Sequence, residues 1–283
     1  MFIILQSLDP LPTSMLSELA DAGIKTSELI VENDRIWKVN AEILENEVIR
    51  RLEEYCFSSK IDITFLPNGR RRWNDFRLLA MDMDSTLITI ECIDELADLC
   101  GKKSEVSAIT EMAMRGELDF TQSLKRRVGL LKGVPVSSLE TVYNERLKLN
   151  PGAEELLSRA RENKIQTLLM SGGFTYFTEK LKSRLELNYT FANLLGVENG
   201  LLTGDVIGRV VDAAEKRRIV ESVCSDLDIS PAQAIVVGDG ANDLEAMSVA
   251  GLSVAYHAKP IVRRTADIAL NHVGLDGLLN ILD

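Results

Sequence analysis

Leu78 to Met81 is a run of four apolar residues that stops abruptly on two aspartates, Asp82 and Asp84, spaced i, i+2. An unbroken apolar run of this length suits a strand buried on both faces of a parallel sheet. On a continuing strand the two aspartates would share a face, and at the carboxyl end of an open parallel sheet that face borders a ligand crevice. Two carboxylates so close repel each other unless a cation lies between them, and oxygen ligands ask for a hard metal such as Mg²⁺. Ser85 and Thr86 add hydroxyls and N–H groups just past the strand end, where an anion could be held. A carboxylate nucleophile, a second carboxyl for proton transfer and a Mg²⁺ together fit phosphoryl transfer through an aspartyl-phosphate. The competing reading of Asp82-Met83-Asp84-Ser85-Thr86 is a polar turn that caps a helix, and the bare pentapeptide leaves both open.

Elements downstream repeat the pattern. Ile165 to Met170 reads as a strand that leads through Ser171-Gly172-Gly173 into a helix from Phe174, offering N–H groups and a hydroxyl to a phosphate, with an ordinary glycine-rich turn as the reading the stretch alone favours. Ala213 to Leu227 reads as a helix with Lys216 in its first turn, a poor place for a cation facing the helix dipole unless it reaches a negative site. Ala234 to Val237 reads as another apolar strand, ending in Gly238-Asp239-Gly240-Ala241-Asn242-Asp243. There Asp239 can supply a further oxygen ligand, and Asp243 can hold the metal or a water bound to it. Asn150-Pro151 reads as a helix start, with Asn150 as N-cap. Val197 to Val211, with Glu198-Asn199-Gly200 and Thr203-Gly204-Asp205, reads as a surface hairpin. Between Thr86 and about Asn150 roughly 60 residues are mainly helical, longer than an ordinary crossover, and they are expected to form a cap over the crevice.

Residues 1 to about 66 read as β-α-β-β-α-β, the ferredoxin-like arrangement, with helices expected over Leu11–Ala22 and Ile43–Cys56. This unit resembles small regulatory domains of the ACT type by topology alone. A docking or dimerisation module that binds no ligand is an equal reading, which leaves a homodimer open. The expected division is 1–72, an N-terminal domain with its linker, and 73–283, a catalytic domain whose cap spans about 88–148. The net charge of −11 argues against nucleic acid as a partner, and the three arginines Arg70 to Arg72 read as a solvated linker. Cys56, Cys92, Cys100 and Cys224 form no metal or disulfide pattern and are expected to be free thiols. No stretch approaches the length of a membrane span, and no signal peptide is legible, so a cytoplasmic location without a membrane partner is expected.

Taken in order, Asp82-Met83-Asp84-Ser85-Thr86, Ser171-Gly172-Gly173, Lys216 and Gly238-Asp239-Gly240-Ala241-Asn242-Asp243 resemble the four motifs of the haloacid dehalogenase superfamily. The helical insert between the first two is similar to its aspartate-phosphatase branch. Asp82 to Ala97 and Phe120 to Leu131 resemble, within that branch, the members that act on O-phospho-L-serine. The resemblance covers roughly Arg77 to the C-terminus. It implies an α/β fold with a Rossmann-like parallel sheet and an inserted helical cap. It implies Asp82 as nucleophile and Asp84 as general acid and later base, with the Asp84 backbone carbonyl on Mg²⁺. It further implies Asp239 as a metal ligand with Asp243 in support, Ser171, Gly172 and Lys216 on the phosphoryl oxygens with Asn242 nearby, and Glu91 and Arg127 on the ammonium and carboxylate of a small substrate. Two rivals follow: a phosphotransferase or a phosphatase for another small phosphomonoester, and an amino-acid-sensing protein with a vestigial site.

Overall fold

The apolar run does form a strand, and it lies in the middle of the larger of two sheets. The structure is a computed structural model and describes residues 1–282. The N-terminal part contains β1 (Phe2–Ser7), α1 (Ser14–Asp21), β2 (Ile30–Asn33), β3 (Ile36–Asn40), α2 (Asn46–Ser58) and β4 (Ile61–Leu66). Its antiparallel sheet has the order β2-β3-β1-β4, the ferredoxin-like arrangement. Side chains of β1 alternate between two cores, as a period of two requires. Ile3 and Leu5 pack with Met15, Leu19, Leu52 and Cys56 of the two helices. Phe2 and Ile4 instead join Leu66, Trp73 and Phe76 in the core of the larger part. Both helices start later than their sequence suggests. Leu11 is buried but precedes α1, and Ile43 is 83% exposed, so it contributes nothing to the apolar face of α2.

The larger part runs β5 (Leu78–Met81), α3 (Cys92–Leu99), α4 (Lys103–Met114), α5 (Phe120–Leu130), α6 (Ser137–Thr141), α7 (Ala153–Glu162), β6 (Gln166–Phe174), α8 (Thr175–Leu185), β7 (Tyr189–Glu198), β8 (Leu201–Ile207), α9 (Ala213–Asp226), β9 (Ala234–Gly238), α10 (Leu244–Met247), β10 (Leu252–Tyr256), α11 (Pro260–Thr265), β11 (Ile268–Leu270) and α12 (Leu279–Leu282). The sheet order is β11-β10-β9-β5-β6-β7-β8, parallel throughout except for β8, which returns antiparallel to β7. β5 is buried on both faces: Leu79 and Met81 pack with Leu169, Ile235 and Val237 on one side, and Leu78 and Ala80 with Val220, Val223 and Val236 on the other. Its neighbours are β6 and β9, so the three motif-bearing strands end side by side. This is the point where the strand order departs in both directions from the first strand, and where open α/β sheets bind ligands.

Two local readings are corrected. Asn150 does not cap a helix, because α7 begins at Ala153 after Gly152, whose φ of 78° is open to glycine. The Asn150 amide instead donates to the carbonyls of Thr86 and Ile88, at 2.9 and 3.1 Å. With the antiparallel bridge between Ile88 and Leu149, it ties together the outgoing and returning strands of the helical insert that carries α3 to α6. Ser171-Gly172-Gly173 continues β6 rather than forming a turn, and α8 starts at Thr175. The hairpin expected within Val197–Val211 does form: β7 and β8 pair antiparallel about a turn at Asn199-Gly200, with Thr203-Gly204-Asp205 inside β8. Gly204 packs on the end of α5, where a Cβ would stand 3.4 Å from the Gly129 Cα and 3.0 Å from the Cβ of Lys132 just past the helix, so β8 braces the insert.

Candidate active site

Asp82 extends β5 by one residue, its N–H donating to the Val237 carbonyl at 2.9 Å. The chain then makes one wide turn over Met83–Leu87, closed by N–H groups of Leu87 and Ile88 on the carbonyls of Asp82 and Met83. Ser85 takes a φ of 57°, a left-handed conformation that reverses the backbone. Asp82 and Asp84 therefore reach the same cleft from a turn, while Met83 between them is buried in the core.

The two aspartates meet different surroundings. The buried Lys216 ammonium lies 2.7 Å from Asp82 Oδ1 and donates to Asp243 Oδ1 at 2.7 Å. Although the ammonium is that close to Asp82 Oδ1, no donor is aligned on this atom for a hydrogen bond. Burial alone would lower the Lys216 ammonium, but Asp243 and Asp82 outweigh it and raise it, so the misplaced cation of the first turn of α9 stays charged. Burial pushes the Asp82 carboxyl up, Lys216 opposes this, and Asp243 and Asp239 reinforce it.

Asp84 is held by the Cys92 N–H, which donates to Oδ1 at 2.9 Å, and by the Ser171 hydroxyl, which donates to Oδ2 at 3.3 Å. Burial and the neighbouring Glu91 carboxylate push it up to about 7, against those two hydrogen bonds. A carboxyl near neutrality can give and take a proton under working conditions. The N–H of Gly173 in turn donates to the Ser171 hydroxyl at 2.8 Å. A Cβ at Gly173 would stand 2.5 Å from Asp84 Oδ2, so any other residue there displaces the Asp84 carboxyl.

Asp82, Asp239 and Asp243 each bring a carboxylate oxygen within 4.8 Å of the others, a cluster able to hold a metal ion. Burial, Asp243 and Glu91 push Asp239 up to about 6, and the Thr86 hydroxyl donates to its Oδ1 at 3.3 Å. Three carboxylates around one ammonium leave negative charge uncompensated. Together with the unaligned Asp82 oxygen, this hard-oxygen donor set fits a hard divalent cation. The side chain of Asp84 stands outside this cluster.

The cleft above has a volume of about 600 Å³. Glu91, Asp94, Ser123 and Arg127 line it from the insert, and Gly172, Asp239, Asn242 and Lys259 from the sheet side. Glu91 accepts a hydrogen bond from the Ser85 hydroxyl at 2.7 Å. Burial lowers the Arg127 guanidinium from its usual value, and Asp94, Glu91 and Asp84 pull it back. All residues expected from the motifs thus converge on one cleft or directly beneath it. Asn193 was not anticipated. It is fully buried, donates through Nδ2 to the Gly172 carbonyl at 2.8 Å and accepts the Val211 N–H at 2.9 Å, fixing the end of β6. Its signal is an asparagine inside an apolar strand, which is too common to single out unaided.

Residues 76–251 match the haloacid dehalogenase-like hydrolase family. The chain is 53% identical over 214 residues, 74% of its own length and 91% of the other, to a phosphoserine phosphatase of Polaromonas sp.. In structure it is similar, at a TM-score of 0.81 and 35% identity, to an unliganded probable phosphoserine phosphatase of Vibrio cholerae, covering 99% of this chain and 85% of that one. A substrate-bound phosphoserine phosphatase aligns at a TM-score of 0.69 and 39% identity, covering 74% of this chain and 99% of its own.

Proposed function

The chain belongs to the haloacid dehalogenase-like hydrolases, and within them to the phosphoserine phosphatase family; from that premise we propose that it hydrolyses O-phospho-L-serine to L-serine and phosphate through a phosphoryl group carried on Asp82. The observation that carries this reading is the pairing of two carboxyls in unlike surroundings at one strand end: Asp82 2.7 Å from the Lys216 ammonium, Asp84 away from it and held by the Cys92 N–H and the Ser171 hydroxyl.

An Asp82 oxygen attacks phosphorus and the bond from phosphorus to the seryl oxygen breaks. Asp84 gives its proton to that leaving oxygen. A water then attacks the same phosphorus, passes a proton to Asp84, and the acyl-phosphate bond to Asp82 breaks to free the carboxylate and inorganic phosphate. Lys216 offsets the repulsion between the Asp82 carboxylate and the phosphate dianion. Ser171, the backbone at Gly172 and Asn242 bind phosphoryl oxygens. Mg²⁺ would be held by Asp82, Asp239 and the Asp84 carbonyl with Asp243 in support, and it supplies neutralising charge on the phosphoryl group. Glu91 faces the substrate ammonium, and Arg127 offers its planar fork to the carboxylate. The insert, about 88–148, excludes water over them.

The deciding experiment compares kcat/KM for four phosphomonoesters: phosphoserine, the analogue without its amine (phosphohydroxypropionate), the analogue without its carboxylate (phosphoethanolamine), and an aryl phosphate. Phosphoserine is expected to lead each of the others by at least about tenfold, one charged contact's worth. An aryl phosphate turned over as well as phosphoserine overturns the substrate assignment. Adding alcohol acceptors to the same assays detects transfer in place of hydrolysis.

A further inference from the structure

Arg127 enters the cleft with part of its hydrogen-bonding capacity unused. Its Nε is buried and, among the described residues, has no hydrogen-bond partner. An unpaired donor on a buried cation is costly, and a guanidinium free to rotate about its stem presents no fixed fork to a ligand. A carboxylate stands close by for which the proposed reaction has no use. Asp94 lies in the first turn of α3, three residues beyond Glu91, which immediately precedes that helix, and both acids line the cleft. α3 packs against α5, the helix that bears Arg127, and Asp94 and Arg127 line the same wall. Asp94 is also the carboxylate that most strongly offsets the effect of burial on Arg127, ahead of Glu91 and Asp84.

We infer that Asp94 is a positioning residue for substrate recognition: in the closed, loaded cleft its carboxylate accepts the Arg127 Nε–H and thereby turns the two terminal nitrogens of the guanidinium, as a bidentate pair, toward the carboxylate of the substrate. The inference rests on the phosphoserine reading and adds to it the group that fixes the carboxylate clamp. It assigns the two acids at the start of α3 different tasks, Glu91, just before the helix, to the ammonium of the substrate and Asp94, in its first turn, to the protein's own arginine. The other cation near Asp94 is the exposed Lys103, which belongs to the same run of insert helices and does not reach the cleft lining. A role toward Lys103 would be structural and blind to the substrate.

The test applies the four phosphomonoesters to Asp94→Asn in the full chain. Asn keeps the shape and removes the charge. KM is expected to rise on the order of tenfold for phosphoserine and for phosphohydroxypropionate, which both carry a carboxylate, with kcat changed much less. Phosphoethanolamine and the aryl phosphate, which carry none, are expected to shift by less than about twofold. Asp94→Glu, which retains the charge, is expected to recover part of the loss. Added to Arg127→Ala, Asp94→Asn is expected to cost nothing more, because the group it positions is gone. A loss confined to phosphoserine and phosphoethanolamine would place Asp94 on the substrate ammonium and overturn the inference. An equal loss on all four, or none on any, would overturn it too, as a structural or an idle residue. A wild-type protein with no preference for phosphoserine over the aryl phosphate fails the substrate reading first and takes the inference with it, so the two failures are told apart before any variant is made.

Discussion

Asp82→Asn preserves the volume of the side chain beneath the cleft and removes the charge that Lys216 faces at 2.7 Å. If Asp82 is the nucleophile, this variant folds, forms no acid-labile phosphoenzyme and loses turnover by on the order of a thousandfold or more, which quench-flow labelling and steady-state rates both read. Steady turnover near the parent rate would remove the covalent route. The acids around it also make a statement about stability. Asp84 and Asp239 are pushed up from the ordinary 3.8 to about 7 and about 6. A carboxyl that keeps its proton longer in the folded than in the unfolded chain adds stability that is complete below its unfolded pKa. That stability is lost as the pH rises through the folded one. The metal-free protein should therefore lose this contribution between about pH 4 and 7, while Mg²⁺, which binds the deprotonated Asp239, should restore the share of that residue at the upper end. The gain in Tm on adding Mg²⁺ is thus expected to be larger near about pH 8 than near about pH 5, as calorimetry can show. Equal gains at both would mean that no cation meets these carboxylates. At this scale the sequence was legible wherever a residue was out of place for ordinary folding. Two aspartates after an apolar run and a lysine in the first turn of a helix are costly without a site to explain them. Asn193 carried no such mark, because its value depends on two backbone groups, at Gly172 and Val211, that only the folded chain brings to it.

The end of β6 shows how an element can be right in type and wrong in shape. Its apolar run, from Ile165 to Met170, was clear, but Ser171-Gly172-Gly173 looks like a glycine-rich turn and is in fact extended. The glycines serve close approach instead: a Cβ on Gly172 would stand 2.8 Å from the Phe120 ring, and one on Gly173 2.5 Å from Asp84 Oδ2. Gly173→Ala should leave the sheet intact, shift Asp84 and lower kcat by on the order of a hundredfold, the usual cost of misplacing a reacting group by about an ångström. Steady-state kinetics beside a thermal melt distinguish this from unfolding, and a fully active Gly173→Ala would show that Asp84 has room to spare. The same limit hid the role of Asn150. Local rules made it an N-cap, but the carbonyls of Thr86 and Ile88, more than sixty positions earlier, compete for its amide and win. Helices α3, α4 and α5 were readable because their apolar faces and terminal glycines are local signals.

At the scale of the whole molecule, the N-terminal sheet is joined to the larger part through a buried anion. Asp62 of β4 is fully buried and accepts the N–H groups of Asn271, His272 and Val273 at 2.8–3.0 Å, together with the Asn271 amide. Asp62→Asn would turn an amide donor toward that row of donors. It is expected to lower global stability by about 1–3 kcal/mol in urea titrations while leaving kcat with phosphoserine within about twofold. An unchanged midpoint would show that the seam tolerates the exchange. The linker at Arg70 to Arg72 suggested a separable unit, and its boundary stays a proposal. The packing is closer than a linker implies, with the Arg70 guanidinium 4.4 Å over the Phe2 ring and Trp73 buried. The two-sided character of β1 has a further consequence, for the order in which the chain can fold. Ile3 and Leu5 find their partners within the first sixty or so residues, but Gln6 accepts its hydrogen bond from Asn280, 274 positions away, and Asp62 waits for residues 209 to 211 positions later. Contacts of such sequence separation close late. During synthesis the first sheet can form early on its own helices, with Phe2, Ile4 and Leu66 still uncovered until the larger part is made. That interval is when the nascent chain presents its greatest apolar edge and depends most on holding factors or on speed.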